Sequence, residues 1–117
     1  MHELSISSAI VDTVVRHADG RPVTAVQVRA GRLRQVVPAS LHFYFEIVSR
    51  ETLCDGARLD LDVVPAALHC RLCAHEWEID MPDFRCPRCQ SADVIVDSGE
   101  ELEVTSIEVE EVVPCTA

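Results

Sequence analysis

Apolar residues recur at helical intervals through the first eighteen positions. Leu4, Val11, Val14, Val15 and Ala18 share one stripe, so the spacing predicts an amphipathic helix from Leu4 to about Ala18. Asp19-Gly20 supplies its stop, because glycine takes the left-handed conformation that closes a helix at no steric cost. Val23 to Ala30 are rich in β-formers and partly alternating, which predicts a strand ended by Gly31. Pro38 suits the first turn of a second helix, where a missing N–H costs nothing. Leu41, Phe45, Val48 and Thr52 mark its stripe, Phe43 and Ile47 widen the apolar surface, and Asp55-Gly56 ends it. Leu59, Leu61 and Val63 then alternate with Arg58, Asp60 and Asp62, the period of a half-buried strand, closed by Pro65.

Beyond Pro65 the pattern changes. Four cysteines dominate a stretch with little apolar content, within which His75 to Asp80 reads as a short strand and Met81-Pro82-Asp83 as a turn. Strand character returns at Val94 to Val96 and, after Gly99, from Leu102 to Val113. In that last run Leu102 and Val104 are out of phase with Ile107, Val109 and Val113, as a bulge near Thr105-Ser106 would produce. Strand–helix–strand implies a right-handed crossover between parallel strands. A final strand returning from an inserted unit whose ends lie close together runs antiparallel to them. The expected fold is therefore α+β: a small three-stranded mixed sheet with two helices, plus an inserted four-cysteine, zinc-ribbon-like domain. The expected boundaries are 1–66 completed by 100–117 for the α/β domain, and 67–99 for the insert.

A chain of 117 residues, 48% of them apolar, is enough for one modest core with a small satellite and argues against disorder. No apolar run approaches the roughly 20 residues that span a bilayer. The first residues show neither a basic n-region nor an apolar h-region, so a cytoplasmic, reducing location is expected, with no membrane partner. The net charge of −10 argues against nucleic acid, whose binding depends on Lys and Arg displacing counterions. Glu100, Glu101, Glu103, Glu108, Glu110 and Glu111 form a late acidic run, read first as a solvated face and second as a docking surface for a basic partner or a region friendly to hard cations.

Cys70-x-x-Cys73 and Cys86-x-x-Cys89, twelve residues apart, place four thiolates where one soft or borderline metal can hold them tetrahedrally. A closed four-sulfur site has no open position for chemistry, so it reads as structural zinc. Three function classes stay open on this motif: a metal-delivery protein, a zinc-ribbon interaction module for nucleic acid or a transcription complex, and an iron electron carrier. Trp77 and Phe84 are expected to pack over the knuckles. Cys54 and Cys115 stand outside the pairs and default to free thiols in a reducing compartment. A second metal site is conceivable at Met1-His2-Glu3. The α-amine, the His2 and Glu3 backbone nitrogens and the His2 imidazole can close five- and six-membered chelate rings in the tetragonal geometry that Ni(II) or Cu(II) favours. A histidine near a chain terminus ordinarily does nothing, so spacing alone leaves this open.

Met1-His2-Glu3-Leu4-Ser5-Ile6 resembles the opening signature of the HypA/HybF family, nickel-insertion accessory proteins for NiFe-hydrogenase maturation. The likeness continues through Val37-Pro38-Ala39-Ser40-Leu41-His42-Phe43-Tyr44-Phe45, Gly56-Ala57-Arg58-Leu59, both Cys-x-x-Cys pairs and Gly99-Glu100-Glu101-Leu102-Glu103-Val104. The resemblance implies a nickel metallochaperone that is not an enzyme. It would bind labile Ni(II) through His2, with the Met1 amine and Glu3 backbone nitrogen, and structural Zn(II) through Cys70, Cys73, Cys86 and Cys89. The implied partners are a nickel-handling GTPase and the hydrogenase large subunit, with the chain a monomer or weak homodimer. Some members of the family carry a histidine just after the last Cys-x-x-Cys. Here that place holds Gln90-Ser91-Ala92-Asp93, leaving the Met1 amine, water or His75 to complete the nickel plane.

The other histidines read more plainly. His17 suits a helix C-terminus, His42 and Tyr44 are expected to be partly buried on the second helix, and His69 adjoins a tetrahedron that four cysteines already fill. No nucleophile–base arrangement and no phosphate-cradling glycine loop is present, so nucleotide hydrolysis is not expected to power transfer.

Overall fold

The computed structural model describes residues 2–111. In chain order its elements are α1 (Glu3–His17), β1 (Val23–Gly31), a 3-10 turn (Arg32–Arg34), α2 (Pro38–Ser49), β2 (Arg58–Val64), β3 (Ala66–Cys70), β4 (Glu76–Ile79), β5 (Val94–Ser98) and β6 (Leu102–Val109). They form two three-stranded sheets, ordered β2-β1-β6 and β4-β3-β5. Two compact units are resolved. One comprises residues up to Val28, Val37–Leu61 and the chain from Val104; the other comprises Arg29–Val36 and Asp62–Glu103.

In the first unit α1 buries Ile6, Ser7, Ile10, Val11 and Val14, and α2 buries Leu41, Phe45 and Ser49. Together with Val23, Ala25, Val26 and Val28 of β1 these make the core, each large side chain contributing about 1.5–3 kcal/mol. Ser7 Oγ donates to the Leu41 carbonyl (3.4 Å) and the Val37 N–H donates to the Glu3 carboxylate (3.1 Å). Both links join residues at the same sequence offset, so the helices run parallel and start at the same end. The Val37 N–H is the main reason the Glu3 carboxyl lies below its ordinary pKa. His17 does occupy the end of α1, with Nδ1 2.8 Å from the Thr13 carbonyl oxygen.

The first sheet is mixed, as the periodicity implied. Gln27 meets Asp60 and Arg29 meets Asp62, a constant offset that marks β1 and β2 as parallel. The Gly31 N–H donates to the Glu101 carbonyl and the Glu110 N–H to the Pro22 carbonyl, so β6 runs antiparallel to β1. Alternation along β6 slips at Thr105 and Ser106, both exposed, as its shifted apolar phase requires. The strand ends at Val109; the expected continuation to Val113 falls partly outside the described residues.

Several expectations are corrected. Leu4, assigned to the buried stripe, is 50% exposed; Ile6 and Ser7 are the buried residues of that turn, Ser7 against α2. Phe43 and Ile47 do not widen the core; they point away from it, Phe43 being 59% exposed, and His42 is exposed as well. α2 stops at Ser49 rather than running to Thr52. Arg50 leaves the helical conformation, and Thr52 Oγ donates back to the Ser49 carbonyl (2.6 Å). Pro65 closes β2 as expected, but a further strand that the sequence pattern did not reveal, β3, begins at Ala66 and leads directly into Cys70.

In the second unit β3 pairs antiparallel with both β4 and β5, with a register shift between Ala67 and Leu68 against β5. Gly31 has ordinary extended backbone (φ −69°, ψ 145°), so it is required for space rather than for conformation. A Cβ there would lie 2.0 Å from the carbonyl carbon and oxygen of Gly99. Gly99 has φ +112°, and a Cβ on it would lie 2.6 Å from the Ala66 Cα. Among the described residues no helix is long and apolar enough to cross a membrane.

Candidate metal sites

The two Cys-x-x-Cys segments fold alike. In the first, the Cys70 N–H donates to the His75 carbonyl (2.8 Å) and the Ala74 N–H to the Cys70 carbonyl (3.0 Å). In the second, the Cys86 N–H donates to the Ser91 carbonyl (2.9 Å) and the Gln90 N–H to the Cys86 carbonyl (2.8 Å). The residue after each second cysteine is left-handed: Ala74 at φ 62° and Gln90 at φ 65°. Each segment is thus one tight knuckle that turns both sulfurs to the same side.

All four Sγ atoms lie within 4.8 Å of one another, and the Cys70–Cys89 and Cys73–Cys86 pairs are each 3.6 Å apart. A regular tetrahedron with Zn–S bonds of 2.3 Å has edges of about 3.8 Å. The cluster therefore fits zinc with little adjustment. Among the described residues it is the one group of three or more His, Cys, Asp or Glu side chains placed to converge on an ion.

Protonation follows the same geometry. The Cys73 and Leu72 N–H groups point at Cys70 and lower its thiol pKa. Burial opposes ionisation of Cys86, but the Cys89 and Arg88 N–H groups and neighbouring thiols outweigh it and bring its pKa to about 7. Cys89 accepts the Ser91 N–H, which favours its thiolate; desolvation and the competing charge of Cys70, Cys86 and Cys73 nevertheless push it up to about 12. Without a cation the four sulfurs cannot all ionise together, so a metal binding here must release protons.

The neighbours expected around the knuckles are only partly in place. Trp77 is half-buried and stacks on His75 (centroids 5.6 Å apart, planes 10° apart), but Phe84 is 39% exposed. His69 is no metal ligand in this arrangement; its Nδ1 lies 2.9 Å from both carboxylate oxygens of Asp97 on β5. That pair, the Glu3–Val37 link and the left-handed Ala74 and Gln90 were not read from the sequence. The last two had a signal there: the five-residue runs Cys70-Arg71-Leu72-Cys73-Ala74 and Cys86-Pro87-Arg88-Cys89-Gln90 are parallel in form. Cys54 is fully buried and free, and burial raises its thiol pKa. Cys115 lies outside the described residues.

His2 is exposed at the N-cap of α1, with φ −87° and ψ 92°, and its side chain makes no capping hydrogen bond. Its carbonyl accepts the Ile6 N–H (3.1 Å), which begins the helix. Met1, and with it the expected amine ligand, lies outside the described residues.

A family model described as "Hydrogenase/urease nickel incorporation, metallochaperone, hypA" matches residues 1–109. The chain belongs to the HypA family. The hydrogenase maturation factor HypA of Geotalea uraniireducens is 44% identical over 110 residues, covering 94% of this chain and 100% of that protein. That of Desulfosudis oleivorans is 39% identical over 115 residues, covering 95% and 100%. Among solved structures, the solution structure of the Ni metallochaperone HypA from Helicobacter pylori superposes with a TM-score of 0.66 at 29% identity, over 93% of this chain and 97% of that one. HypA membership makes this a nickel-metallochaperone family protein of hydrogenase maturation.

Proposed function

We propose that this HypA-family chain carries Ni(II) at its N-terminus and delivers it to the large subunit of a NiFe-hydrogenase, receiving it from a nickel-handling GTPase in the cytoplasm. Nickel is cargo here, and the chain binds and releases it without enzymatic turnover. The reading is carried by the placement of His2 at the exposed start of α1, in a chain whose family match includes that start. The ligands would be the His2 imidazole, the His2 and Glu3 backbone nitrogens and the Met1 amine.

The helix start suits such a site. The first four N–H groups of an α-helix have no intrahelical acceptor, so the Glu3 nitrogen is not committed to the α1 ladder. The partial positive charge at the starts of both parallel helices favours amide nitrogens that have given up their protons, and it opposes a bare divalent ion. Those two effects together make for a site that is formed by proton release and lost in acid. The chain's net charge of −10 keeps the local concentration of cations high. The four cysteines would hold zinc, tying the knuckles together and supplying a fixed frame rather than a transfer site.

The experiment is Ni(II) titration of the untagged chain beside a His2→Ala variant. All ten basic residues are arginines, so amine-selective reductive methylation modifies only the α-amine. His2→Ala should abolish stoichiometric binding, and methylation should weaken it. Full affinity in His2→Ala would remove the assignment.

A further inference from the structure

The four cysteine residues are not equally protected. Cys86 and Cys70 are 0% and 1% exposed, Cys73 is half-buried, and Cys89 is open to solvent. In the zinc-loaded site all four sulfurs would be held as thiolates, so access rather than ionisation decides which a small oxidant reaches first. Cys89 Sγ lies 3.6 Å from Cys70 Sγ on the other knuckle, and Cys73 Sγ lies 3.6 Å from Cys86 Sγ, so both short pairs run between the knuckles. Closing either gap to a disulfide of about 2.05 Å asks each sulfur to move less than about 1 Å. The knuckle backbones, each held by its own pair of N–H···O bonds, need not unwind.

We propose that Cys89 is a hydroperoxide-oxidation site and Cys70 its resolving partner, converting the metal-holding cluster reversibly into disulfides that join the two knuckles. Cys89 thiolate attacks hydrogen peroxide; an S–O bond forms, the O–O bond breaks, and hydroxide leaves with the two electrons lost by sulfur. Cys70 thiolate then attacks the resulting sulfenic sulfur. The S–S bond forms, the S–O bond breaks, and a second hydroxide leaves. The site is left with two of its four ligands and releases its ion. A second peroxide repeats the sequence at Cys73 and Cys86. A dithiol reductant reverses both steps by exchange.

The arginines make the connectivity readable. Trypsin cleavage after Arg71, Arg85 and Arg88 places Cys70, Cys73, Cys86 and Cys89 on four different peptides. Cys115 shares the Cys89 peptide, so the assay uses a Cys115→Ser chain. The zinc-loaded protein is treated with hydrogen peroxide at and below one equivalent. Zinc release is followed with a colorimetric chelator, and samples are alkylated, digested and mapped by mass spectrometry. The expected first link joins the peptide ending at Arg71 to the one beginning at Cys89. It appears in step with zinc release, and dithiothreitol with added zinc restores both. A first link inside a knuckle, Cys70–Cys73 or Cys86–Cys89, would overturn the proposal. So would sulfinic or sulfonic acid at Cys89 without a disulfide, or a link formed while zinc stays bound.

Discussion

Replacing Gly31 by alanine separates steric need from backbone preference. At φ −69° and ψ 145° alanine is at ease, and a shorter unfolded-state ensemble would by itself stabilise the variant by about 0.4–1 kcal/mol. The tertiary surroundings predict the opposite sign. The new Cβ would sit 2.0 Å from the carbonyl carbon and oxygen of Gly99 and 2.5 Å from the Glu100 nitrogen, all backbone atoms. Ordinary contact begins at 3.4 Å, so one chain must retreat by about 1.4 Å. That retreat breaks the Gly31 N–H bond to the Glu101 carbonyl (2.6 Å) and the Leu33 N–H bond to the Gly99 carbonyl (2.8 Å). Two such bonds at about 1 kcal/mol each, with about 1–3 kcal/mol of overpacking, give a destabilisation of about 4 kcal/mol. Urea unfolding of the zinc-loaded protein, followed by circular dichroism and by Trp77, the single tryptophan, measures it. Gly20→Ala is the control: no atom lies within 4 Å of its added Cβ, and only its φ of +76° is penalised, by about 1–2 kcal/mol. A Gly31→Ala midpoint at or above that of the unmodified chain, or above that of Gly20→Ala, would refute the reasoning.

Three further outcomes are expected. Leu41→Ala, at a fully buried position, should cost about 2–5 kcal/mol by thermal melt, whereas Phe43→Ala two residues on should cost less than about 0.5 kcal/mol. Ala74→Gly should relieve the left-handed strain of the first knuckle and slow zinc loss to a chelator, with a gain of about 0.5–1 kcal/mol in unfolding free energy. The Glu3 carboxyl is held below its ordinary 4.5 first by the Val37 N–H, so its stabilisation is complete above pH 4.5 and is lost as pH falls through the lowered value. The melting difference between the unmodified chain and Glu3→Gln should therefore be largest near neutrality and shrink in acid; a difference that grows below pH 4.5 would contradict the assignment.

Much of the site was legible because its donors are local. The Cys-x-x-Cys spacing and the twelve residues between the pairs were enough to predict that four sulfurs converge, and they do. The helices were legible for the same reason, since a 3.6-residue period is written within a few turns. The faces were less so. Leu4 and Ile6 are both apolar and both on α1. Which of them is buried depends on the parallel approach of a helix more than thirty residues away, fixed by Ser7 against Leu41 and Glu3 against Val37.

The sequence by itself thus determined both helices, most of the strands, the four converging cysteines and the family to which the chain belongs, because backbone periodicity and ligand spacing are properties of neighbouring residues. Tertiary structure alone decided that Gly31 must be glycine, that β3 continues past Pro65 into the first knuckle, and that Cys89 faces both solvent and Cys70. Each of these depends on atoms brought together from distant parts of the chain, and excluded volume and solvent access exist only once those atoms have met.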